Sequence, residues 1–179
     1  DMPILIAPVA MQQMAHKDGE IATTKAAKNL NTIMSHSTIS NKSIKEVGPI
    51  HDKTFFQLYF SKDRDFTSQM LKECKSLGYK AIVFTVDAPR LGTRERDERN
   101  SFKMPDNLKL GNFIGTKFEH FDKIEEYDGS SMKVHSDHLF DPSLTFDIIP
   151  WIKEQSSLPV LVKGILRPDD ATQALSFGA

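Results

Sequence analysis

Apolar positions along the chain fall into two alternating patterns. Short, nearly unbroken apolar runs occur at 3–7, 32–35, 55–59, 81–86 and 159–163. Ala81-Ile82-Val83-Phe84-Thr85-Val86 is typical: apolar on both faces, as a parallel strand covered on each side must be, and too short for a buried helix. Between the runs the period lengthens. Phe66, Met70, Cys74 and Leu77 recur at helical spacing, as do Ala22, Ala26 and Leu30, so each set predicts a helix laying one stripe on a sheet. Pro168 followed by Asp169 and Asp170 suits a helix start, with φ preset and acidic groups at the positive end of the dipole. That helix is predicted over 168–177, and Gly178 reads as the residue just past its end.

Strand and helix in alternation predict repeated βα units. Five strands in 179 residues extrapolate to the eight of a (β/α)₈ barrel of about 250 residues, here an incomplete one holding about strands one to five. A doubly wound sheet is the alternative. The stretch 88–143 is polar, interrupted by glycine and far longer than an ordinary βα loop, so it reads as a functional insertion within a single domain spanning 1–179. The chain starts at Asp1, enters an apolar run at Ile4, and stops at Ala179 where a strand is due. Both ends are therefore expected to be cut.

Composition narrows the function classes. A content of 39% apolar and 26% charged residues suits a soluble globular domain and excludes disorder. With 23 basic against 24 acidic side chains the chain has no field to draw nucleic acid or an anionic membrane. No apolar run approaches the roughly 18 residues of a membrane span, and the start lacks a signal-peptide pattern. A lone cysteine, Cys74, rules out an internal disulfide and fits a core position on its helix stripe.

Barrel chemistry sits where strands end. The ends here read Ala7-Pro8-Val9-Ala10, Ser35-His36-Ser37, Gln57-Leu58-Tyr59, Thr85-Val86-Asp87 and Val162-Lys163. Side chains alternate across a strand, so Gln57 and Tyr59 share a face, as do Thr85 and Asp87, and both pairs can point into one mouth. Taken singly, a Gln or Thr at a strand end is ordinarily a satisfied hydrogen-bonding group. A lysine or aspartate closing a buried strand is rarer and needs a partner or a role, which singles out Lys163 and Asp87. His135, Asp137, His138 and Asp141 have no recognised metal-ligand spacing, so no metal is assigned. His36 is expected to pack or bond locally.

Five segments in collinear order resemble one family: Pro3-Ile4-Leu5-Ile6-Ala7-Pro8-Val9-Ala10-Met11-Gln12, Gln57-Leu58-Tyr59, Thr85-Val86-Asp87-Ala88-Pro89-Arg90-Leu91-Gly92, Asp141-Pro142-Ser143-Leu144-Thr145 and Leu158-Pro159-Val160-Leu161-Val162-Lys163-Gly164. The family is that of the FMN-dependent 2-hydroxy-acid oxidases and dehydrogenases, which includes glycolate oxidase, lactate oxidase and flavocytochrome b2. The resemblance implies an FMN across the barrel mouth. The backbone of Pro8, Val9 and Ala10 would face its N5 side, Ser37, Gln57 and Thr85 would hydrogen-bond its ring, and Lys163 would stand near N1 and the C2 carbonyl. Tyr59 would bond the substrate hydroxyl or carboxylate, with Arg94 in the loop beside the carboxylate. Asp87 would orient and charge-stabilise a catalytic histidine.

That histidine and a substrate-binding arginine belong, in the family, to a Ser-Asn-His-Gly-x-Arg motif after strand six, and are expected just past Ala179. The groups for the FMN phosphate belong to strands seven and eight, and a substrate-touching tyrosine lies upstream of Asp1. The chain alone is accordingly expected to be poorly folded, flavin-free and inactive. Ile39 stands where glycolate oxidases carry a tryptophan, which opens the question of substrate size. The implied activity is oxidation of a small (S)-2-hydroxy acid to the 2-oxo acid through FMN, with dioxygen as the second acceptor. The alternatives are a dehydrogenase using a cytochrome or quinone and a non-catalytic barrel that binds flavin or a partner. A homotetramer and a peroxisomal address are further implications of the resemblance.

Overall fold

The structure is a computed structural model that describes residues 3–88, 92–119 and 139–179. Four strands, β1 (Met34–Ser37), β2 (Thr54–Leu58), β3 (Ala81–Thr85) and β4 (Val160–Lys163), form one parallel sheet in sequence order. The first predicted strand does not form as such. Over 3–7 there is a single parallel bridge, Ile6 to Met34, with the Ile6 N–H donating to the Ile33 carbonyl at 2.8 Å and the Ser35 N–H to that of Ile6 at 2.9 Å. Its apolar side chains gain little cover: Ile4 is 64% and Leu5 52% exposed.

Helices α1 (Gly19–Asn29), α2 (Ile44–Val47), α3 (Arg64–Ser76), α4 (Glu95–Arg99), α5 (Ile148–Ser156) and α6 (Pro168–Ser176) connect and flank the strands. In α3 the predicted stripe is the buried one: Phe66, Met70 and Cys74, with Leu71, pack on Phe56, Leu58, Ile82 and Phe84 of the sheet. Each such side chain removed from water contributes on the order of 1.5–3 kcal/mol before entropy is counted. Asp63 caps α3, accepting from the N–H groups of Asp65 at 3.0 Å and Phe66 at 3.1 Å. At the other end Gly78, at φ 83, lets the chain reverse so that Tyr79 N–H bonds the Cys74 carbonyl and Gly78 N–H that of Lys75. Gly178 closes α6 in the same way, as the sequence predicts.

Two expectations need correction. The stripe Ala22, Ala26, Leu30 faces outward, with Leu30 61% exposed; α1 instead buries Glu20, Thr24 and Ala27. The small apolar side chains on the outward side set the period, but the inward side is held by polar bonds that a hydropathy pattern does not register. Second, α5 was not anticipated. It supplies the crossover between β3 and β4, and its Ile148, Ile149 and Ile152 complete the layer beside α3.

Alternation gives the sheet two unlike faces. One carries Met34, His36, Phe56, Leu58, Ile82, Phe84 and Val160 against the helices. The other carries Ser37, Gln57 and Thr85, joined side chain to side chain, and below them Phe55, Val83 and Leu161, the last 45% exposed. In a barrel this second face is the interior.

Candidate active site

The register places the site. Ser37 pairs with Gln57 across β1 and β2 and Thr85 with Lys163 across β3 and β4, while Gln57 stands opposite Val83, two residues before Thr85 on the same face of β3, so the Gln57 side chain reaches along the sheet to join the two pairs. The Ser37 hydroxyl donates to Gln57 Oε1 at 3.2 Å, the Thr38 N–H reaches the same oxygen at 3.4 Å, and Gln57 Nε2 donates to Thr85 Oγ1 at 3.0 Å. With its oxygen thus engaged, the Gln57 amide has one orientation, NH₂ toward Thr85. The row is buried, the least so Thr85 at 7% exposed.

Beyond the row the groups become charged and accessible. Lys163 Nζ lies 3.6 Å from Asp87 Oδ1, the two side chains 41% and 46% exposed. An ion pair this open is worth about 0–1 kcal/mol, so it does not lock either partner against a better one. Gly164 sets their approach: at φ 107, a Cβ there would lie 2.5 Å from both Cβ and Cγ of Asp87. Any side chain at 164 would push the carboxylate out of place. Tyr59 is half-buried, and burial, reinforced by the Asp87 carboxylate and opposed by Arg94, raises its phenol above the ordinary value. At neutral pH it is a hydrogen-bond donor. Arg94 is exposed, its Nη1 donating to the Gly92 carbonyl at 3.0 Å. Beside these groups a cavity of about 320 Å³ is walled by Tyr59, Phe84, Thr85, Phe140, Phe146 and Gly164.

The predicted site residues thus gather at one end of the sheet, with Pro8 half-buried and Val9 and Ala10 exposed at its margin. Ile39 is half-buried there, its N–H donating to Ser37 Oγ at 3.1 Å. Asp141 accepts from the N–H and hydroxyl of Ser143, at 2.9 and 2.6 Å, as a turn residue does. His135, Asp137, His138 and Arg90 lie outside the described residues.

His36 points to the opposite face of β1. Its Nε2 meets the Lys42 carbonyl at 2.9 Å and must donate, so Nδ1 accepts from the Tyr79 hydroxyl at 2.8 Å. Burial lowers its pKa to about 4 despite that carbonyl and the charge of Glu46, and the ring is neutral.

Three residues that shape the rim had no sequence signal. Glu20, fully buried, accepts from the N–H groups of Gln12, Asn41 and Lys42 at 3.1, 3.0 and 3.2 Å. Asn41 Oδ1 takes the Gln13 N–H at 3.0 Å while its Nδ2 donates to the Lys109 carbonyl at 2.9 Å. Asn112 accepts from Ile44 N–H at 2.8 Å and donates to the Thr38 carbonyl at 3.0 Å. The loops after the Ile6 bridge, after β1 and after β3 are thereby tied into one rim. An acid in the first turn of a helix ordinarily reads as a solvated dipole partner, which is why Glu20 passes unnoticed.

A profile of one family, described as FMN-dependent dehydrogenase, matches residues 1–179. The chain belongs to the FMN-dependent dehydrogenase family. Among its relatives in that family are glycolate oxidase 3 of Arabidopsis thaliana, 44% identical over 99% of this chain and 48% of the relative, and an L-lactate oxidase of Nostoc sp., 42% identical over 99% and 50%. Human 2-hydroxyacid oxidase 1 is 41% identical over 99% of the chain and 48% of its own length. Of solved structures, a mandelate oxidase superposes with a TM-score of 0.87 at 32% identity, covering 99% of this chain and 47% of that one. A Pediococcus acidilactici lactate oxidase gives 0.81 at 35%. The chain spans about half the length of the curated relatives it matches. The sheet is accordingly part of a (β/α)₈ barrel of this FMN-dependent family. Among the described residues no helix is long and apolar enough to cross a membrane.

Proposed function

We propose that the protein carrying this chain oxidises a small (S)-2-hydroxy acid to the 2-oxo acid, with FMN taking the two electrons and dioxygen reoxidising it to yield hydrogen peroxide. The observation that carries this reading is the buried row Ser37–Gln57–Thr85 ending at the accessible cation of Lys163. Such a row fits a planar amphipathic ring: Thr85 receives from Gln57 and keeps its own hydroxyl proton to give, Ser37 and Gln57 fix the polarity, and apolar walls flank them. FMN, when bound, supplies the two-electron acceptor.

Within that reading Ser37, Gln57, Thr85 and Lys163 hold the ring along with the backbone of Pro8, Val9 and Ala10. Lys163, only weakly paired with Asp87, would offset the negative charge that the flavin gains on reduction. Tyr59, neutral and hydrogen-bearing, donates to the substrate's hydroxyl or carboxylate, and Arg94 attracts the carboxylate from the loop. Asp87 holds the positive charge of a histidine base contributed from outside these 179 residues, as the third member of a catalytic triad does. The assembly we propose is a homotetramer, and the compartment the peroxisome. The test is anaerobic mixing of full-length protein with glycolate, lactate and longer 2-hydroxy acids. Bleaching of the flavin, followed by one peroxide per turnover on admitting air, is expected. A flavin that bleaches but passes electrons only to a cytochrome or quinone would replace the oxidase reading with a dehydrogenase one.

A further inference from the structure

The turn that follows Pro8–Ala10 is fixed by more bonds than its path alone requires, and they converge on Gln12. Its N–H donates to the buried Glu20 carboxylate at 3.1 Å, its Nε2 donates to the Val9 carbonyl at 3.3 Å, and its Oε1 accepts from Thr23 Oγ1 at 2.5 Å. The Val9 carbonyl can only accept, so the NH₂ end of the amide faces it, and the Thr23 hydroxyl secures the other end. Met11, just before, sits at φ 50 and ψ 48, a left-handed conformation that costs a residue with a side chain about 1–3 kcal/mol and persists only where its surroundings impose it. They do: Met11 N–H bonds the Ile39 carbonyl at 3.0 Å, and Glu20 also grips Asn41 and Lys42 on the neighbouring loop. The left-handed step is what folds Gln12 back over Val9.

A trans peptide is planar and turns its C=O and N–H to opposite sides. With the Val9 oxygen drawn back to Gln12, the N–H of Ala10 is aimed away from the turn, and Ala10 is exposed. We propose that Gln12, locked by Glu20 and Thr23, is a positioning residue that aims the Ala10 N–H at the ring of the bound FMN. This rests on the reading above in which the ring lies against Pro8–Ala10. The ring nitrogen such a donor serves has a free lone pair in the oxidised state and carries a hydrogen in the two-electron reduced state. A fixed N–H therefore favours the oxidised form.

The test uses full-length protein and two variants, Gln12→Met and Thr23→Val, with redox titration and FMN titration as readouts. Both variants are expected to shift the flavin midpoint potential positive and to weaken binding of oxidised FMN by about fivefold, the scale of one hydrogen bond. Thr23→Val keeps the side-chain shape and decides the matter alone if Gln12→Met does not fold. FMN-loaded variants with the wild-type potential, whatever their melting temperature, would overturn the proposal and leave Gln12 a purely structural residue. A wild-type protein that binds no FMN would instead overturn the reading beneath it.

Discussion

His36 and Ser37 are consecutive in β1 and both are buried, yet they belong to polar clusters of opposite kinds. His36 is closed: each ring nitrogen has a partner, the partners are core and backbone groups, and the cluster ends there. Ser37 begins an open one, which runs through Gln57 and Thr85 and arrives at Lys163, Asp87 and Tyr59, groups partly exposed and only loosely paired. A closed cluster can specify packing and nothing more. An open cluster ends in donors and charges whose best partner is not in the chain, which is how a polar ligand site differs from a polar core.

The largest effect expected from breaking this contrast is at the open end. Asp87→Asn keeps shape and hydrogen bonding but removes the charge, and in the full-length protein kcat should fall by about 10²-fold or more while flavin content and melting temperature stay near wild type. Stopped-flow flavin reduction measures it; a near-normal rate with lowered stability would make Asp87 a structural residue like His36.

At the closed end the signature is stability against pH. The folded-state pKa of His36 is depressed to about 4 from 6.5, so in that interval the unfolded chain binds a proton the folded one does not. Stability is full above about pH 6.5, falls by up to about 3 kcal/mol as the pH drops through the window, and levels off below it. Urea unfolding from pH 7 to 4 should show this slope, and His36→Leu should flatten it.

Ile39 stands between the clusters, its backbone bound to Ser37 and its side chain half-buried at the rim. Ile39→Trp should shift the ratio of kcat/KM toward glycolate and away from longer hydroxy acids by about 1–3 kcal/mol, a pocket-filling effect. An unchanged ratio would remove Ile39 from the substrate pocket. The smallest effect belongs to a polar group of neither kind. Asp63 caps α3 and pairs with Lys117, which holds its carboxyl below the ordinary value; Asp63→Ala should cost about 1 kcal/mol in unfolding free energy and leave turnover per bound flavin intact.

How far the sequence could be read depended on the kind of force at each place. The parallel strands and α3 were legible because long-range burial imprints a period on apolar residues, and β2, β3 and β4 fall within a residue or two of their predicted bounds. The face of α1 is not legible because Glu20 and Thr24, with Ala27, are the inward side, while Ala22 and Ala26 face out. Alternation was enough to pair Gln57 with Tyr59 and Thr85 with Asp87 within their strands, but that Gln57 and Thr85 share a face depends on the register between β2 and β3. It could not show that Lys163 and Asp87 touch, since that contact depends on Gly164 leaving room, a fact about space rather than pattern. Nor could spacing reveal Asn112, whose partners lie more than 60 residues away.

Cys74 is the one thiol of these 179 residues, fully buried on α3, and burial raises its pKa well above the ordinary value. Protonated and walled in, it reacts with an alkylating reagent only while α3 stands off the sheet. The rate of its modification therefore works as a clock on that one movement, already installed in the native chain and needing no label. It would register an opening of the helix layer that absorbance, which follows only the mouth of the barrel, does not see.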